Sequence, residues 1–299
     1  MTVLITGAWR ASDADIARIE KMGHTVCLMP DERADLPIDA KTVEAVICNG
    51  LFLYHDIDSF SSLRYIQLTS AGLDRAPVEK IKERGIALYN ARGVYSVPMA
   101  EFALFGVLSL YKKAEDFIDS GRGCRWEKQR DIRELYGKRV LIVGAGSVGV
   151  ECAKRFGAFG CSVVGVDALP RVDESFIRIS PVDRLEEELS AADVTVLTLP
   201  LTPETHHIIN ARTLAAIKPG SVLVNISRGG TLDTDALITA LDEGRLSGAV
   251  LDVFEQEPLP AESPLWDRPN VLVTPHNSFV GEGNAHRLST LIFENLERI

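Results

Sequence analysis

The sequence predicts an α/β protein made of two doubly wound, parallel-sheet domains. Short apolar runs rich in β-branched residues alternate with helical patterns along almost the whole chain, which is typical of βαβ units. A long apolar helix over 95–117 interrupts that rhythm and marks the passage from one sheet to the next. With 299 residues, of which 46% are hydrophobic, the chain is long enough to form two cores.

The first domain is predicted to contain five strands. They are TVLIT (2–6), TVCLM (25–29), AVICN (45–49), RYIQLT (64–69) and IALYN (86–90). Helical patterns lie between most of these strands, and the clearest of them runs from Ala11 to Met22. The long apolar helix then begins near Ser96, a candidate N-cap, and has Pro98 in its first turn, where the missing N–H costs little.

The second domain is predicted to contain six strands. They are RVLIVG (139–144), SVVGVD (162–167), DVTVLTLP (193–200), SVLVNIS (221–227), GAVLDVF (248–254) and VLVTP (271–275). The helix over 284–299 follows them and carries an apolar stripe, formed by Leu288, Ile292, Leu296 and Ile299. Because the second sheet is already complete, we expect this stripe to pack on the first domain. The expected domains are 1–95 plus 281–299, and 96–280.

Composition and charge exclude several classes of function. The net charge of −10 gives no basic surface for nucleic acid or for an anionic membrane. The longest apolar stretch, over 102–111, is too short to span a bilayer, and the N-terminus lacks the charged region of a signal peptide. The five scattered cysteines show no metal-ligand spacing and suit reduced thiols, so we expect a cytoplasmic protein without a metal.

The segment RVLIVGAGSVGVECAKRFGAFGCSVVGVD carries the strongest single motif. Gly144, Gly146 and Gly149 form GxGxxG between a buried strand and a helix, and the next strand ends in Asp167. The first glycine permits a tight turn, the second allows close approach of a pyrophosphate, and the third lets the helix pack against the strand. The helix N-terminus would supply N–H groups to the phosphates. A plain glycine-rich turn is the alternative, but the strand, helix, glycines and acid all fit dinucleotide binding.

Asp167 bears on the choice of cofactor. Its carboxylate would hydrogen-bond the adenosine ribose hydroxyls and repel a 2′-phosphate, which favours NAD over NADP. Arg171, four residues later, could instead receive that phosphate. The loop TLPLTPET places three more candidates at the same edge of the sheet: Leu199, Pro200 and Thr205. A proline at this point is also an ordinary strand stop.

Three charged residues lie at or just beyond the carboxyl ends of late strands: Arg228, Glu257 and His276. These ends share one edge of a parallel sheet, so the side chains can converge there. Hydride transfer between an alcohol carbon and a nicotinamide needs a proton donor, a group that holds a carboxylate, and a group that orients the imidazole. Histidine, arginine and glutamate suit these tasks. A turn histidine, a surface charge and a rim acid are the simpler explanations, but the conjunction favours chemistry.

Four segments resemble the D-isomer-specific 2-hydroxyacid dehydrogenase family. They are LTSAGLDRAPV (68–78), NARGVYSVPMAEFAL (90–104), VLIVGAGSVG (140–149) and the stretch from NISRGG to VTPH (225–276). The resemblance covers essentially the whole chain. It implies a flavodoxin-like substrate domain over 1–95 plus 281–299 and an inserted Rossmann domain over 96–280 that binds NAD.

The resemblance also implies roles for individual residues. Arg228 would bind the substrate carboxylate and carbonyl oxygen, His276 would be the general acid and base, and Glu257 its partner. The backbone amides of Ala71 and Gly72 would hold the carboxylate. The further cofactor contacts implied in this way are Ser147, Val148, Asp167, Leu199, Pro200, Thr205, Ile226, Ser227 and Asp252, the last near the carboxamide.

Departures from the family pattern narrow the substrate. Members that act on formate have Gln where this chain has Glu257, which disfavours formate. Phosphoglycerate-acting members carry a basic residue in the loop after the third strand, whereas CNGLFLYHD (48–56) is largely apolar. Its Phe52, Leu53 and Tyr54 could line a substrate side chain or could be buried helix residues. We also expect no appended regulatory domain after the last helix.

The sequence therefore predicts an NAD-dependent oxidoreductase that interconverts a small 2-oxo acid and a D-2-hydroxy acid. Two alternatives stay open, an NAD(H)-sensing, corepressor-like binding module and a phosphoglycerate-type dehydrogenase. NADP is expected to be the poorer cofactor. The family's usual homodimer, formed through the region 98–125, is the expected assembly, with no nucleic-acid or membrane partner.

Overall fold

The computed structural model describes residues 1–298 and forms two compact units. Unit 1 comprises Met1–Tyr95 together with the segment that starts at Gly281, and unit 2 comprises Ser96–Val280. All strand pairs in both sheets are parallel, which confirms the predicted α/β class with two parallel-sheet domains. The predicted place of Ile299 on the stripe of the last helix lies outside the described residues.

The strands and α-helices are numbered in chain order. Unit 1 begins with β1 (Thr2–Thr6), α1 (Asp13–Lys21), β2 (Thr25–Met29), β3 (Ala45–Cys48), β4 (Tyr65–Leu68), α2 (Val78–Glu83) and β5 (Ala87–Tyr89). Unit 2 contains α3 (Ser96–Tyr111), α4 (Ala114–Arg122), β6 (Arg139–Val143), α5 (Ser147–Ala158), β7 (Ser162–Val166), β8 (Arg178–Ser180), α6 (Leu185–Ala191), β9 (Val194–Leu197), α7 (Ala211–Ala216), β10 (Ser221–Asn225), α8 (Thr234–Asp242), β11 (Leu246–Leu251) and β12 (Val271–Val273). The chain returns to unit 1 in α9 (Asn284–Leu296).

The sheet of unit 1 has the strand order β2-β1-β3-β4-β5. Successive residues of a strand face opposite sides, so Val3 and Ile5 lie in one apolar cluster and Leu4 lies in the other. Both faces of the sheet are therefore covered, which explains why its strands read as continuous apolar runs rather than as alternating patterns.

Helix α9 is part of the core of unit 1. Leu288, Ile292 and Leu296 are buried in the same cluster as Val3 and the other residues of that face of the sheet. On the same helix, the buried Asn295 side chain donates a 2.8 Å hydrogen bond to Oε1 of the buried Gln67 on β4. A buried amide that lost this partner would remain unsatisfied, so the bond favours one register of the helix against the sheet.

The seven-stranded sheet of unit 2 has the order β12-β11-β10-β9-β6-β7-β8. The strand order reverses at β6, and the carboxyl end of a strand at such a switch point is where doubly wound sheets bind ligands. Helix α3 packs closely on one face, where a Cβ on Gly106 would lie 2.6 Å from Cγ1 of Val250. No helix within residues 1–298 is long and apolar enough to cross a membrane.

Strand β8 is the one strand of unit 2 that the sequence analysis did not predict. It is only three residues long and carries the half-exposed Arg178, so it has no apolar periodicity to detect. Its position is fixed instead by the buried Glu188 of α6, which accepts hydrogen bonds from Arg178, Ser180 and Arg139. Such a contact between distant segments leaves no local trace in the sequence.

The prediction that Ser96 caps the long helix is wrong. Ser96 is the first residue inside α3 and is buried. Its Oγ has no hydrogen-bond partner among residues 1–298. Ser96 therefore lies one position inside the helix, past the position at which a serine side chain caps.

Candidate active site

The charged residues singled out in unit 2 follow three neighbouring strands. Arg228 comes after β10, Glu257 after β11 and His276 after β12. These strands are adjacent in the sheet and parallel. Since neighbouring strands lie about 4.8 Å apart, the three loops emerge side by side at one edge.

His276 and Glu257 are paired directly. Nδ1 of His276 lies 2.9 Å from Oε2 of Glu257, and the two side chains are 40% and 37% exposed. The other carboxylate oxygen, Oε1, accepts a 3.0 Å hydrogen bond from the backbone N–H of Phe254. An ionised carboxylate only accepts hydrogen bonds, so the pair fixes a proton on Nδ1 and leaves Nε2 as the nitrogen that gains or loses one. Within residues 1–298, Nε2 has no hydrogen-bond partner.

The backbone of His276 is held in an unusual conformation. Its φ is +50°, a left-handed value that non-glycine residues adopt infrequently. Its N–H donates to the carbonyl of Asp252 at 2.8 Å. The fully buried Asp252 carboxylate accepts from Oγ1 of Thr274 at 2.7 Å and from the N–H groups of Asn277 at 2.7 Å and Ser278 at 2.9 Å. Asp252 therefore anchors the turn that presents the imidazole.

Arg228 sits in a turn that is supported from below. Its carbonyl accepts hydrogen bonds from Nδ2 of Asn225 at 3.2 Å and from Oγ1 of Thr231 at 2.7 Å. Both supporting residues are completely buried. The next residue, Gly229, has no room for a side chain, because a Cβ there would lie 1.9 Å from the carbonyl carbon of Phe254. The turn that carries Arg228 is thus packed against the loop that carries Glu257.

The three glycines of GxGxxG differ in backbone conformation and in the space around them. Gly144 has a φ of +101°, and its carbonyl oxygen accepts a 2.6 Å hydrogen bond from Oγ1 of Thr198. A Cβ on Gly149 would lie 2.1 Å from the carbonyl oxygen of Gly144, so only glycine permits this approach of helix to strand. A Cβ on Gly146 would meet no protein atom within 4 Å, so the fold itself places no limit on that position.

Helix α5 begins directly after the glycine turn. Gly146 is its N-cap, and no side chain in the described part of the protein caps the first turn. Ser147 and Val148 are the first residues of the helix, and its first turn holds no acid. The N-terminal amides therefore keep their hydrogen-bonding capacity and their positive dipole end for an anion.

Asp167 and Arg171 both reach the glycine turn. One Asp167 oxygen accepts from the N–H of Ala145 at 2.8 Å and the other from the N–H of Leu169 at 2.9 Å. Nη2 of Arg171 donates to the carbonyl of Ala145. An acid and a cation thus contact the backbone of the same residue, Ala145. The sequence analysis weighed these two side chains against each other as determinants of the cofactor.

The remaining cofactor candidates line the same edge or lie just beneath it. Thr205 fastens its own loop, since its Oγ1 donates to the carbonyl of Pro200 at 2.7 Å. Leu199 packs on the glycine turn, because its N would lie 3.0 Å from a Cβ on Gly144. Ile226 and Ser227 are buried, and Ser227 donates its hydroxyl to Asn225 at 2.8 Å.

Ala71 and Gly72 belong to unit 1 and lie in the loop after β4. Their carbonyls are occupied, because Nδ2 of Asn90 donates to Ala71 at 2.6 Å and Oγ of Ser70 donates to Gly72 at 2.9 Å. Their N–H groups have no acceptor within residues 1–298. The loop therefore presents two backbone donors, which suit a carboxylate.

The segment 48–56 of unit 1 divides its apolar residues between core and surface. Phe52 packs edge-to-face on Phe60, with ring centroids 5.8 Å apart, whereas Leu53 and Tyr54 are 58% and 56% exposed. The segment also has a cation beside it, since a Cβ on Gly50 would lie 3.6 Å from Cδ of Arg75. The side chain of Arg75, from the loop after β4, thus lies next to this segment.

A depression of about 400 Å³ lies at the carboxyl ends of β1, β2 and β3 in unit 1. Its acids are satisfied internally. Glu32 accepts from Oγ1 of Thr6 and from the N–H groups of Asn49 and Gly50, each at 2.7 Å. Hydrogen bonds from Arg33 lower the pKa of Asp31 to about 2. These acids organise the loops, and we assign no chemistry to the depression.

Sequence reasoning missed the residues that hold the site in place. Asn225 and Thr231 support Arg228, and Thr198 supports the glycine turn. Asp252 was named only as a cofactor contact, and its support of the His276 turn was not foreseen. The available signal was a polar residue at the end of a buried strand, as with Asn225 in VLVNIS. Among residues 1–298, no group of three or more His, Cys, Asp or Glu side chains could hold a metal ion.

A family model described as D-isomer specific 2-hydroxyacid dehydrogenase, NAD binding domain, matches residues 104–278. A D-3-phosphoglycerate dehydrogenase of Methanocaldococcus jannaschii is 34% identical over 85% of this chain, which spans about half (49%) of that relative. A glyoxylate reductase of Korarchaeum cryptofilum is 32% identical over 94% of this chain and 80% of its own length. An (S)-sulfolactate dehydrogenase of Chromohalobacter salexigens is 34% identical over 96% of this chain and 94% of its own length.

A solved structure shows the same likeness in three dimensions. It is a D-isomer specific 2-hydroxyacid dehydrogenase from Xanthobacter autotrophicus in complex with NADPH and MES. It is 29% identical, covers 99% of this chain and 94% of its own, and superposes with a TM-score of 0.82. The chain described here therefore belongs to the D-isomer-specific 2-hydroxyacid dehydrogenase family.

Proposed function

We propose that this protein is an NAD(H)-dependent oxidoreductase that reduces a small 2-oxo acid to the D-2-hydroxy acid and catalyses the reverse reaction. The observation that carries the proposal is the pairing of His276 with Glu257 beside the turn of Arg228. The pairing leaves Nε2 available for proton transfer, and the turn supplies a guanidinium at the same edge of the sheet.

The chain's own residues account for the proton and for the charge. The protonated imidazole of His276 donates from Nε2 to the carbonyl oxygen of the oxo acid, while Glu257 accepts the Nδ1 proton and orients the ring. Arg228 binds the carboxylate and stabilises the negative charge that develops on the carbonyl oxygen. The free N–H groups of Ala71 and Gly72 are assigned to the substrate carboxylate, as the family resemblance implies.

The glycine turn fits a dinucleotide. The unfilled space at Gly146 suits a close approach of phosphates, and the uncapped start of α5 supplies donors through Ser147 and Val148. A bound nicotinamide cofactor supplies the hydride for the reduction. We propose NAD(H) over NADP(H), because the carboxylate of Asp167 would repel a 2′-phosphate. Arg171 opposes this preference, and the relative from Xanthobacter autotrophicus was solved with NADPH.

The side-chain preference of the substrate is assigned to segment 48–56 and its surroundings. The exposed Leu53 and Tyr54 favour an apolar side chain, while Arg75 offers a cation nearby. We propose that apolar 2-oxo acids are the better substrates. The relatives named for phosphoglycerate and sulfolactate make phosphorylated and sulfonated acids the competitors to test.

We further propose a homodimer in a reducing compartment such as the cytoplasm. All five cysteines are free thiols, and burial raises the pKa of Cys161 to about 11, so this thiol stays protonated and unreactive. The exposed Phe105, Phe117 and Ile118 on α3 and α4 suit a subunit contact in the region 98–125. Sedimentation of the purified chain tests the assembly.

A substrate panel tests the proposed function. NADH and NADPH oxidation should be followed with glyoxylate, hydroxypyruvate, pyruvate, 2-oxoisocaproate, phenylpyruvate and 3-phosphohydroxypyruvate, and the chirality of each product determined. Steady turnover to a D-2-hydroxy acid with NADH supports the proposal. Tight NADH binding without turnover of any oxo acid would contradict it and would favour a cofactor-sensing module.

A further inference from the structure

Unit 2 contains a second histidine–glutamate pair. Nε2 of His207 lies 2.6 Å from Oε1 of Glu255, and both side chains are about one-third exposed. His207 has a φ of +49°, and its ring stacks on that of His206, with centroids 4.0 Å apart. Glu255 lies two residues before Glu257, so both pairs depend on the same short loop after β11.

Glu255 joins three separate segments. Its Oε2 accepts from the hydroxyl of Thr234 at 2.6 Å and from the backbone N–H of Thr234 at 3.2 Å, at the start of α8. Its Oε1 accepts from His207, whose own N–H donates to the carbonyl of Gly230 at 2.8 Å. The loop after β11 is therefore fastened both to α8 and to the segment that leads from the cofactor loop into α7.

The fastened loop carries the parts that hold Glu257. The N–H of Phe254 donates to Oε1 of Glu257 at 3.0 Å, so the backbone next to Glu255 orients that carboxylate. The same backbone packs on Gly229, where a Cβ would lie 2.4 Å from the N of Glu255. A shift of Glu255 would thus move the partner of His276 and disturb the turn of Arg228 together.

The charge state of Glu255 suits this task. Burial raises the pKa of Glu255, but hydrogen bonds from Thr234 and His207 outweigh burial and leave the pKa below its ordinary value. A lowered folded-state pKa means that the stabilisation is present above the ordinary value and is lost only as the pH falls through the lowered one. Glu255 therefore remains a carboxylate acceptor throughout the neutral range.

We propose that Glu255 is a positioning residue that, with His207 and Thr234, holds the loop after β11 so that Glu257 meets His276. This inference rests on the proposed function, in which the His276–Glu257 pair transfers the proton. Glu255 contacts neither reacting group in that scheme and acts through Glu257. Misplacing a catalytic group by about 1 Å can lower a rate by roughly 100-fold, so the expected effect is large for a residue outside the reaction.

Glu255→Ala, Glu255→Gln and Thr234→Val test the proposal. We expect Glu255→Ala to lower kcat by about 10- to 100-fold. Glu255→Gln should restore most of it, because the amide still accepts from Thr234. Thr234→Val removes only one hydroxyl and should show a smaller loss of the same kind, which keeps the test usable if Glu255→Ala does not fold. Glu243→Ala removes an exposed glutamate paired with Arg245 and should leave kcat unchanged.

A proton titration of His276 followed by NMR separates positioning from stability. The chain has six histidines, and the His276 signal is identified by its loss in His276→Gln. Glu255→Ala should move the midpoint of the His276 titration to lower pH, in the same direction as Glu257→Gln, because the carboxylate no longer meets the ring. Glu243→Ala should leave the midpoint in place.

Two results would overturn the inference. One is a Glu255→Ala protein with wild-type kcat, and the other is a lowered kcat with an unmoved His276 titration, since the residue would then only stabilise the unit. The titration does not depend on turnover. If His276→Gln keeps full activity the proposed function fails, whereas an unmoved titration in Glu255→Ala defeats the positioning role alone.

Discussion

The two histidine–glutamate pairs of unit 2 look alike but differ in the ring nitrogen that meets the carboxylate. Each joins an imidazole at 2.6–2.9 Å to a glutamate of the same loop, and each histidine has a φ near +50°. His276 bonds through Nδ1, next to its own backbone, and leaves the outer nitrogen open. His207 bonds through Nε2, so its outer nitrogen is consumed by Glu255.

The comparison shows that an imidazole–carboxylate pair does not by itself identify an acid–base catalyst. Which ring nitrogen the carboxylate occupies decides whether the other can reach a substrate. The surroundings of the two rings also differ. The ring of His207 stacks on that of His206, whereas the rings of His276 and Phe279 meet edge to face, with centroids 6.0 Å apart. The His276–Glu257 pair thus fits proton transfer, and the His207–Glu255 pair fits structural support.

The largest expected effect on kcat comes from replacing each of the two histidines separately with glutamine. His276→Gln keeps a hydrogen-bonding group but removes the titratable proton, so kcat for reduction should fall by about 10²- to 10⁴-fold. His207→Gln should lower kcat less than tenfold, because Thr234 still holds Glu255. Steady-state kinetics with a substrate identified from the panel measures both. Equal losses in the two variants would break the distinction, and NADH affinity should be unchanged in either.

Arg228→Lys sharpens the comparison by testing the neighbouring turn. Lysine keeps the charge but not the planar fork, so kcat/KM for the oxo acid should fall by roughly 10- to 100-fold, the worth of one charge-assisted hydrogen bond. Most of the loss should appear as a raised KM, with a smaller loss in kcat. Arg245→Lys, at an exposed ion pair with Glu243, is the matched control. An unaltered KM in Arg228→Lys would argue against carboxylate binding.

Asp167→Ala examines the glycine turn at the same edge of the sheet, where an acid and a cation both contact the backbone of Ala145. Removing the carboxylate should narrow the preference for NADH over NADPH by about tenfold, as expected for a like-charge repulsion near the surface. Arg171→Ala should widen the preference a few-fold. The ratio of kcat/KM for the two cofactors is the measurement. A wild type that already prefers NADPH would mean that Arg171 dominates.

The smallest expected effect concerns the substrate side chain. Apolar 2-oxo acids should be turned over better than 3-phosphohydroxypyruvate. Arg75→Gln should lower the residual kcat/KM for the phosphorylated acid by a few-fold, since a partly solvated charge contact is weak. The kcat/KM for phenylpyruvate should be unchanged. Competition assays with both acids measure this. Efficient turnover of the phosphorylated acid by the wild type would reverse the proposed side-chain preference.

Much of this architecture could be predicted from the sequence, because parallel strands buried on both faces give long apolar runs such as RVLIVG and SVLVNIS. The glycine turn could also be predicted, since the steric demands at Gly144 and Gly149 admit no other residue. Strand β8 and the role of Glu255 were not foreseen, and Asp252 was predicted as a cofactor contact rather than as a support for the His276 turn. These features depend on hydrogen bonds between segments distant in the chain.

The pH dependence of kcat in the wild type and in Glu257→Gln tests most directly the claim that His276, charged and paired with Glu257, is the acid. Reduction by the wild type should slow as the pH rises, because the imidazolium loses the proton that it donates. In Glu257→Gln the decline should begin at lower pH, since a neutral amide no longer favours the charged ring. A decline at the same pH in both proteins, or an unchanged decline in His276→Gln, would contradict the account.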